Sequence, residues 1–403
     1  MAVIFCKKTE SELLMNISKL NIALAHDSLT QLGGAERVLE ALHEIYPQAP
    51  VFVLVQNKKL KDKYKTWDIR TSWLQIFYNI FPKLQYYLPV IPLAVSSLDF
   101  KGYDLVISTS SGFIKNITVP KNRVHINYCH TPARFLWSEP EYVDQEVPTI
   151  LKPLAKLCIK LMKKWDYNGA QRVNYFISNS AEVQKRVKQF YNRESVVIYP
   201  FVDLSLWEPV LTSAIASAAE AIPSQKKIAS SDALLAMTVK KQDYFLLAGR
   251  LQAHKKNELV IEAFNELGLP LHVAGTGRQE EYLKSIAKNN IKFLGKISDR
   301  ELRNEYSGAL AYIYPQIEDF GLMPLEAAAC GTATLAYDKG GSLETIVRGV
   351  TGEFFSSYNK DEIKKAILAW NYKKYSAENL QQQAKKFSKE KFKKSFMEFV
   401  SKL

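Results

Sequence analysis

Two glutamates, Glu318 and Glu326, stand eight residues apart in the stretch PQIEDFGLMPLEAAACG, which is otherwise mostly apolar or small. Glutamate avoids apolar surroundings unless something offsets its charge. Two hydrogen-bond acceptors held apart in this way suit a ligand that carries several hydroxyl groups. The alternative is that Glu326 only favours a helix start and that Glu318 is a solvated loop residue.

Two cations follow a buried segment in YFLLAGRLQAHKK, where Arg250 comes directly after Gly249 and Lys255 lies five residues on. A guanidinium binds phosphate oxygens in a fork, and an ammonium binds them as a point charge. The pair therefore suits a diphosphate, with a pair of ordinary surface cations as the alternative.

Small residues follow other apolar segments, with Gly33 and Gly34 after NIALAH and Gly275 after LHVA. Glycine lets the backbone approach a ligand closely, and a following helix start offers free N–H groups to an anion. The pattern is neither a GxGxxG fingerprint nor a P-loop, so it supports neither NAD nor a Walker-type site. A plain tight turn explains each glycine equally well.

His130 follows the apolar segment VHINYC, and His26 ends the segment NIALAH. A histidine at a strand end can bind a substrate hydroxyl or carry a proton. A hydrogen-bonded structural histidine is the commoner finding for a lone histidine. Nothing has metal-ligand spacing, so we expect no metal.

The elements that position these residues are short apolar segments that alternate with helix-patterned ones. The segment AYIYP predicts a strand that ends at Pro315, with Glu318 in the loop beyond it. Pro324 favours a first helical turn and Gly331 the residue after the last, which places Glu326 in the first turn, where the helix dipole favours a carboxylate. The backbone amides of Phe320, Gly321 and Leu322 then lie near a helix start that can hold a phosphate.

Apolar strands alternating with helices predict βαβ units and a parallel sheet. The alternation runs twice, with the Ala/Ser-rich segment 211–243 between the two runs, which implies two Rossmann-like domains of the α/β class. Ligands of such sheets bind beyond the carboxyl ends of the strands, where all the residues above are expected.

The chain has 403 residues, 47% of them apolar, and a formal net charge of +13. This composition is that of a folded protein, and the charge favours an anionic partner. No basic stripe interleaved with aromatics is present, so nucleic acid is disfavoured. Four scattered cysteines and the lack of a signal-peptide layout or a long apolar run fit the cytoplasm.

Taken together, these motifs resemble the family-4 retaining glycosyltransferases, which have the GT-B fold. EDFGLMPLEAAACG resembles the family's E-x7-E motif, GGAERV its phosphate loop, AGRLQAHKK its GR-x4-K loop and GGSLETI its closing GG-x-x-E segment. YCHTPARFLW, with FISNS after it, is similar to a subset of bacterial mannosyltransferases that build surface polysaccharides such as lipopolysaccharide. The chain departs from the pattern at Lys256, where many relatives have glycine.

The resemblance implies two domains facing across a cleft. An N-terminal acceptor domain is expected at 1–210, with an extension at 1–19, and a linker at 211–243. A nucleotide-sugar-binding domain is expected at 244–383, and a last helix at 384–403 that crosses back to the first domain.

The resemblance also implies a role for each candidate residue. His130 would contact the transferred sugar, Glu318 would hydrogen-bond it without acting as a nucleophile, and Glu326 would bind the ribose. Gly275 would also contact the nucleotide. The donor diphosphate would lie against Gly33, Gly34, Arg250, Lys255, Phe320, Gly321 and Leu322, the first two being open to the acceptor as well.

The family transfers sugars with retention and without an essential metal or other cofactor. The resemblance implies a nucleotide-sugar donor, GDP-mannose as the best candidate, and a glycan or polyprenyl-linked acceptor. A UDP-sugar-dependent transferase and a non-catalytic nucleotide-sugar-binding subunit are the alternatives.

Two segments are candidates for contact with an anionic membrane. Residues 74–95 are aromatic and apolar with one charge, and residues 151–165 have the pattern of a basic amphipathic helix. Both can lie on the inner face of the cytoplasmic membrane, and both can instead pack inside the first domain.

Overall fold

The chain forms two compact units in the computed structural model, which describes residues 20–138, 152–210 and 241–403. The first unit runs to Pro200 and also includes Phe392–Leu403, and the second unit is Phe201–Lys391.

A parallel sheet of seven strands, in the order β3-β2-β1-β4-β5-β6-β7, forms the centre of the first unit. Its strands are β1 Ile22–His26, β2 Val51–Val53, β3 Ile69–Thr71, β4 Leu105–Ser110, β5 Val124–Cys129, β6 Tyr175–Ser178 and β7 Ser195–Val197. The inner strands β1 and β4 are buried along their whole length, as expected for a parallel sheet covered on both faces.

Helices cover this sheet and present one apolar face to it. They are α1 Gly34–Ile45, α2 Leu74–Tyr78, α3 Ile91–Ser96, α4 Arg134–Trp137, α5 Lys152–Arg172 and α6 Ala181–Tyr191. One buried network fixes α5: the Asp166 carboxylate pairs with Lys115 and accepts hydrogen bonds from Trp137 Nε1 at 2.8 Å and Tyr191 OH at 2.9 Å.

The second unit has a parallel sheet of six strands in the order β10-β9-β8-β11-β12-β13. Its strands are β8 Phe245–Ala248, β9 Leu271–Ala274, β10 Ile291–Gly295, β11 Tyr312–Tyr314, β12 Thr334–Tyr337 and β13 Gly352–Phe355. Its helices, followed by the last helix of the chain, are α7 Asn257–Leu267, α8 Glu280–Ile286, α9 Asp299–Gly308, α10 Leu322–Ala329, α11 Ser342–Thr345, α12 Lys360–Leu368, α13 Ala377–Lys385 and α14 Lys389–Val400.

Each sheet reverses its strand order once, between β1 and β4 in the first unit and between β8 and β11 in the second. At such a reversal the connections leave in opposite directions, and a crevice opens beyond the carboxyl ends of the two strands. The fold therefore provides one ligand crevice in each unit, at these two switch points.

The predicted α/β class with two Rossmann-like domains is confirmed, and every predicted strand is present. Three observed strands, β2, β3 and β13, were not predicted. The last two lie at the edges of their sheets, and β3 has exposed polar residues that break any apolar run.

The predicted end of the first domain at residue 210 is wrong, because residues 201–210 belong to the second unit. Val202 N donates to Phe387 O at 2.9 Å, and the ring of Trp207 lies 5.7 Å from that of Tyr306. These buried contacts attach residues 201–210 to the second unit, although they follow the first unit directly in the chain.

The other predicted segments lie only partly within the described residues. The extension at 1–19 and most of the linker lie outside them. Residues 241–243 are described and belong to the second unit, where Gln242 N donates to Gly308 O at 2.8 Å. The last predicted helix is two helices, α13 and α14, and the chain returns to the first unit at Phe392, whose ring lies 5.9 Å from that of Tyr128.

Candidate functional site

The switch point of the second unit brings two predicted site residues into contact. Lys255 follows β8 and Glu318 follows β11, and Lys255 Nζ forms an ion pair with the Glu318 carboxylate. The Lys255 side chain is 7% exposed and that of Glu318 is 24% exposed. A buried ammonium needs an anion close by, so the chain keeps a paired cation and carboxylate in this crevice.

Gly275 supports the loop that carries Arg250. Gly249 N donates to Ala274 O at 3.0 Å, and Leu251 N donates to Thr276 O at 3.0 Å. A Cβ on Gly275 would lie 1.9 Å from Gly249 O, and Gly275 has a φ of 128°. Position 275 thus requires glycine because of its positive φ and because of the contact with Gly249 O. This close approach of the two backbones holds the exposed Arg250 at the end of β8.

The closing segment GGSLE packs directly behind the Glu318 loop. Gly341 N donates to Glu318 O at 2.8 Å, and a Cβ on Gly341 would lie 2.3 Å from Phe320 Cα. The segment therefore has a structural role, since it fixes the backbone that carries Glu318 and Phe320.

The prediction that Glu326 lies in the first turn of its helix is wrong. Helix α10 begins at Leu322, after Gly321 with a φ of 88°, so Pro324 is the third residue and Glu326 lies in the second turn. Proline is tolerated at the third position because the first N–H groups of a helix have no intrahelical acceptor. The helix dipole therefore does not explain why a carboxylate occupies position 326.

Glu326 is instead a buried carboxylate beside aromatic residues of the core, with 7% of its surface exposed. The pKa values of Tyr306 and Tyr312 are raised well above the ordinary value, mainly by burial and further by neighbouring tyrosines and the Glu326 charge. These phenols therefore remain neutral, and Glu326 is the charged group beside them.

Lys256 occupies a backbone conformation that favours glycine. It precedes α7 in the left-handed conformation, with a φ of 57°. Glycine adopts this conformation without strain, whereas a lysine has a Cβ that opposes it. The Lys256 ammonium lies 5.7 Å from the centre of the Tyr358 ring, a contact that offsets part of the strain.

The switch point of the first unit holds a second polar group, built from His26 at the end of β1 and Thr109 near the end of β4. The two residues are paired in register, and His26 Nδ1 lies 2.5 Å from Thr109 Oγ1. The other ring nitrogen, Nε2, lies 3.8 Å from Oε1 of Glu36, in the first turn of α1. All three side chains are buried.

His130 follows β5 next to this group, and its backbone N–H donates to Ser110 O at 2.8 Å. Its Nε2 atom is buried and has no hydrogen-bond partner among the described residues. Burial, with the charge of His26 as a second cause, lowers the pKa of His130 to about 3. The ring is therefore neutral at physiological pH, and its buried Nε2 is available to pair with a polar group of a ligand.

Gly33 and Gly34 lie where the first unit's loop meets α1, with Gly33 as the residue before the helix. The neighbouring Asp27 carboxylate accepts hydrogen bonds from the backbone N–H groups of Ser111, Phe113 and Ile114 at 2.7 to 2.8 Å. Asp27 thereby joins the loops after β1 and β4 and shapes the crevice between them.

The predicted site residues thus fall into two groups, one in each unit. Gly33, Gly34 and His130 belong to the first, and Arg250, Lys255, Gly275, Glu318, Phe320, Gly321, Leu322 and Glu326 to the second. Glu36, Asp27 and Thr109 are site residues that were not predicted from the sequence. A signal was available for two of them, because Asp27 directly follows β1 and Thr109 lies one residue before the end of β4.

The described residues contain no group of three or more histidine, cysteine, aspartate or glutamate side chains that could hold a metal ion. Within the same residues, no helix combines the length and the apolar character needed to cross a membrane.

Comparison with known proteins gives the class of the second unit. Residues 237–387 match the family model described as glycosyl transferases group 1. The chain is 26% identical to the alpha-1,3/1,6-mannosyltransferase ALG2 of Saccharomyces cerevisiae, over 84% of this chain and 73% of that protein. It is 26% identical to the lipopolysaccharide core biosynthesis mannosyltransferase LpcC of Rhizobium leguminosarum, over 59% of this chain and 68% of that protein.

Other curated relatives are matched over a smaller part of their length. Two matches at 29% identity span 38% and 41% of the relatives' own chains. Among solved structures, Anabaena HepE in complex with UDP superposes with a TM-score of 0.65 at 18% identity, covering 95% of this chain and all of that one.

The chain therefore carries a glycosyltransferase group 1 domain, and the resemblance to the family-4 glycosyltransferases is confirmed. The likeness to HepE extends over both units and shows that the fold is that of the GT-B glycosyltransferases.

Proposed function

We propose that the chain is a retaining glycosyltransferase that moves a hexose, with mannose from GDP-mannose as the best candidate, to a lipid-linked or polysaccharide acceptor in cell-surface glycan synthesis. The observation that carries the proposal is the Lys255–Glu318 ion pair at the switch point of a glycosyltransferase group 1 domain.

This ion pair has the chemistry that a sugar diphosphate needs. Lys255 is a buried cation five residues after Arg250, whose side chain is exposed, and a diphosphate is a more highly charged partner than a carboxylate for both. When Lys255 turns to the diphosphate, the Glu318 carboxylate is left to accept hydrogen bonds from sugar hydroxyls. A single reorientation of the Lys255 side chain therefore serves both halves of the donor.

The cations and the start of α10 also stabilise the leaving group. Charge builds up on the diphosphate as the bond to the sugar breaks, and preorganised cations and amides oppose that charge. Phe320, Gly321 and Leu322 supply the amides that precede or begin α10. We propose that no metal is required, so that turnover persists in EDTA, and that Glu318 orients the sugar while the acceptor attacks from the side of the leaving group.

The named relatives favour mannose as the sugar. Both ALG2 and LpcC are named mannosyltransferases. The alternative is a UDP-sugar, because the solved structures of HepE contain UDP or UDP-glucose.

Thermal stabilisation by a panel of nucleotide sugars separates these donors. A ligand that binds the folded chain raises its melting temperature by mass action. We expect GDP-mannose to stabilise the chain more than UDP-glucose. The reverse order would replace the mannosyl assignment with the UDP-sugar alternative, and stabilisation without turnover on any acceptor would favour a non-catalytic subunit.

We further propose that the first unit contacts an anionic membrane at the cytoplasmic face through one surface, which we call the apolar-basic face. The segment 74–95 packs into the core through residues such as Leu74 and Ile91. It also leaves Ile76, Phe77, Ile80 and Phe81 exposed, the last two at 66% and 65%. This is more apolar surface than scattered surface residues explain.

Helix α5 supplies the basic part of this face. Leu154, Leu157 and Leu161 form an exposed row along the helix, with Leu161 at 61%. Exposed lysines flank the row at Lys156, Lys160 and Lys164. Both segments pack on the same core cluster through their inner sides, and apolar residues flanked by lysines match a surface of anionic lipids.

Co-sedimentation with vesicles tests the apolar-basic face. We expect the chain to bind vesicles of phosphatidylglycerol and phosphatidylcholine more tightly than vesicles of phosphatidylcholine alone, and to release them in high salt. Leu157→Asp combined with Leu161→Asp should abolish binding, whereas Leu368→Asp, at an equally exposed leucine of the second unit, should not. Equal binding by both variants would contradict the proposal.

A further inference from the structure

The Glu36 side chain is buried in the first unit beside His26, with 5% of its surface exposed. The 3.8 Å between His26 Nε2 and Glu36 Oε1 is too long for a hydrogen bond. A ligand donor can therefore give this largely buried carboxylate a hydrogen bond that His26 does not supply.

The surrounding backbone makes room for this carboxylate. A Cβ at Gly33 would lie 3.1 Å from Glu36 Oε2. Gly33 has an extended backbone with a φ of −152°, which any residue can adopt. Space beside the carboxylate, rather than backbone conformation, therefore explains glycine at this position.

His130 contributes a buried atom that has no hydrogen-bond partner among the described residues, its Nε2. Burial first, and the neighbouring His26 second, lower the pKa of this ring. The strands that end at His26 and precede His130, β1 and β5, both neighbour β4, so the two groups belong to one end of one sheet. The crevice thus offers a hydrogen-bond acceptor, Glu36, and a neutral imidazole nitrogen, His130 Nε2.

We propose that Glu36 binds a hydroxyl group of the acceptor glycan, with His26 packed beside the carboxylate. This inference rests on the proposed function. A sugar hydroxyl donates a hydrogen bond to a carboxylate, and a hydroxyl can likewise donate to a neutral imidazole nitrogen such as His130 Nε2. A diphosphate is repelled by a carboxylate, so of the two ligands that the resemblance allows beside Gly33, the acceptor is favoured.

Saturation-transfer NMR on the full chain tests the inference with methyl α-mannoside, methyl α-glucoside and methyl N-acetyl-β-glucosaminide as probes. We expect the wild type to bind at least one of them. Glu36→Gln keeps the shape and removes the charge, and it should weaken that binding about 10- to 100-fold, as expected for a lost hydrogen bond to a charged group. Stabilisation of the chain by GDP-mannose should not change.

Glu40→Gln is the matched control, one turn further along α1. The Glu40 carboxylate accepts from Tyr64 OH at 2.8 Å and pairs with Lys63 at 2.6 Å, outside the crevice. It should bind the probe as the wild type does. Gly33→Ala crowds the carboxylate without straining the backbone, and it should weaken probe binding as Glu36→Gln does. Because the two substitutions change different residues, a loss of binding in both is not explained by a folding defect of one variant.

Three results would overturn the inference: no probe binding by the wild type, full probe binding by Glu36→Gln, or a loss of stabilisation by GDP-mannose in Glu36→Gln. Failure of the proposed function looks different, because the wild type would then gain no stability from any nucleotide sugar.

Discussion

The two switch points hold different chemistry in the same topological place. In the second unit a lysine and a glutamate from the loops after β8 and β11 form an ion pair. In the first unit a histidine and a threonine from β1 and β4 share a hydrogen bond, with a carboxylate beside them. In each crevice, one side chain from each of the two central strands or their following loops contacts the other across the switch point.

The difference shows what each crevice is suited to bind. Arg250 and Lys255 give the second unit cations for a diphosphate. The first unit has Glu36 and a neutral His130, which suit hydroxyl groups and disfavour an anion. Under the proposed function, a few residues after the same strands would direct a charged donor to one crevice and an uncharged acceptor to the other.

The largest expected effect is on the second crevice. Lys255→Met should lower donor turnover by about 100- to 1,000-fold, because a preorganised charge that opposes the leaving group is lost. Lys256→Met is the matched control at the next residue and should keep turnover within a few-fold of the wild type. Steady-state kinetics with the stabilising donor measure both, and equal losses would remove Lys255 from the site.

Gly275→Ala tests whether the Arg250 loop depends on close backbone approach. The new Cβ would lie 1.9 Å from Gly249 O, so the loop must move. We expect the free energy of unfolding to fall by about 3 kcal/mol and donor binding to weaken. Gly268→Ala also has a positive φ but open space around it, and should cost only about 1 kcal/mol in urea unfolding. Similar losses would contradict the role given to Gly275.

Asp27→Ala tests the corresponding loop of the first unit. The carboxylate accepts three backbone N–H groups, and its loss leaves them to water or unpaired. We expect a loss of about 2 to 3 kcal/mol in the free energy of unfolding. Asp62→Ala, on the surface of the same unit, should change it by less than about 0.5 kcal/mol.

Acid should weaken the first unit through its buried histidines. Burial lowers the pKa of both His125 and His130 to about 3. Their unfolded pKa is about 6.5, so below pH 6.5 the unfolded chain binds protons that the folded chain does not. Stability is complete above pH 6.5 and falls by up to about 1.4 kcal/mol per pH unit per histidine as the pH drops towards 3. Unfolding midpoints between pH 7.5 and 5 should fall less steeply in His125→Gln, and an unchanged slope would contradict the assignment.

The smallest expected effect is a gain in stability. Lys256→Gly should raise the free energy of unfolding by about 0.5 to 1 kcal/mol, because glycine relieves the left-handed strain before α7. A loss of stability would show that the contact with Tyr358 outweighs the strain. Chemical denaturation measures either result.

The sequence was sufficient for elements whose signal is local. Buried strands such as β8 and β11 are apolar runs, and the residues that follow them were placed correctly at the carboxyl ends. The start of α10 was misplaced because Pro324 fits the third helical position as well as the first, and only the left-handed Gly321 decides between them.

Glu36 shows what local patterns do not reveal. A glutamate in a first helical turn is explained by the helix dipole alone. Its burial beside His26 depends on how α1 packs on the sheet, and the bond between His26 and Thr109 depends on the pairing of strands that are 83 residues apart in the chain. Such contacts are tertiary and leave no periodic signal.

The role of the Lys255–Glu318 ion pair in the reaction is tested by turnover of GDP-mannose, with product analysis, in the wild type and in Glu318→Gln. We expect the wild type to release GDP and to transfer mannose with retained α-configuration. Glu318→Gln keeps the shape but loses the charge next to Lys255, and it should be at least about 100-fold slower. Full turnover in Glu318→Gln would contradict this role, because the ion pair at the second switch point would then have no part in the chemistry.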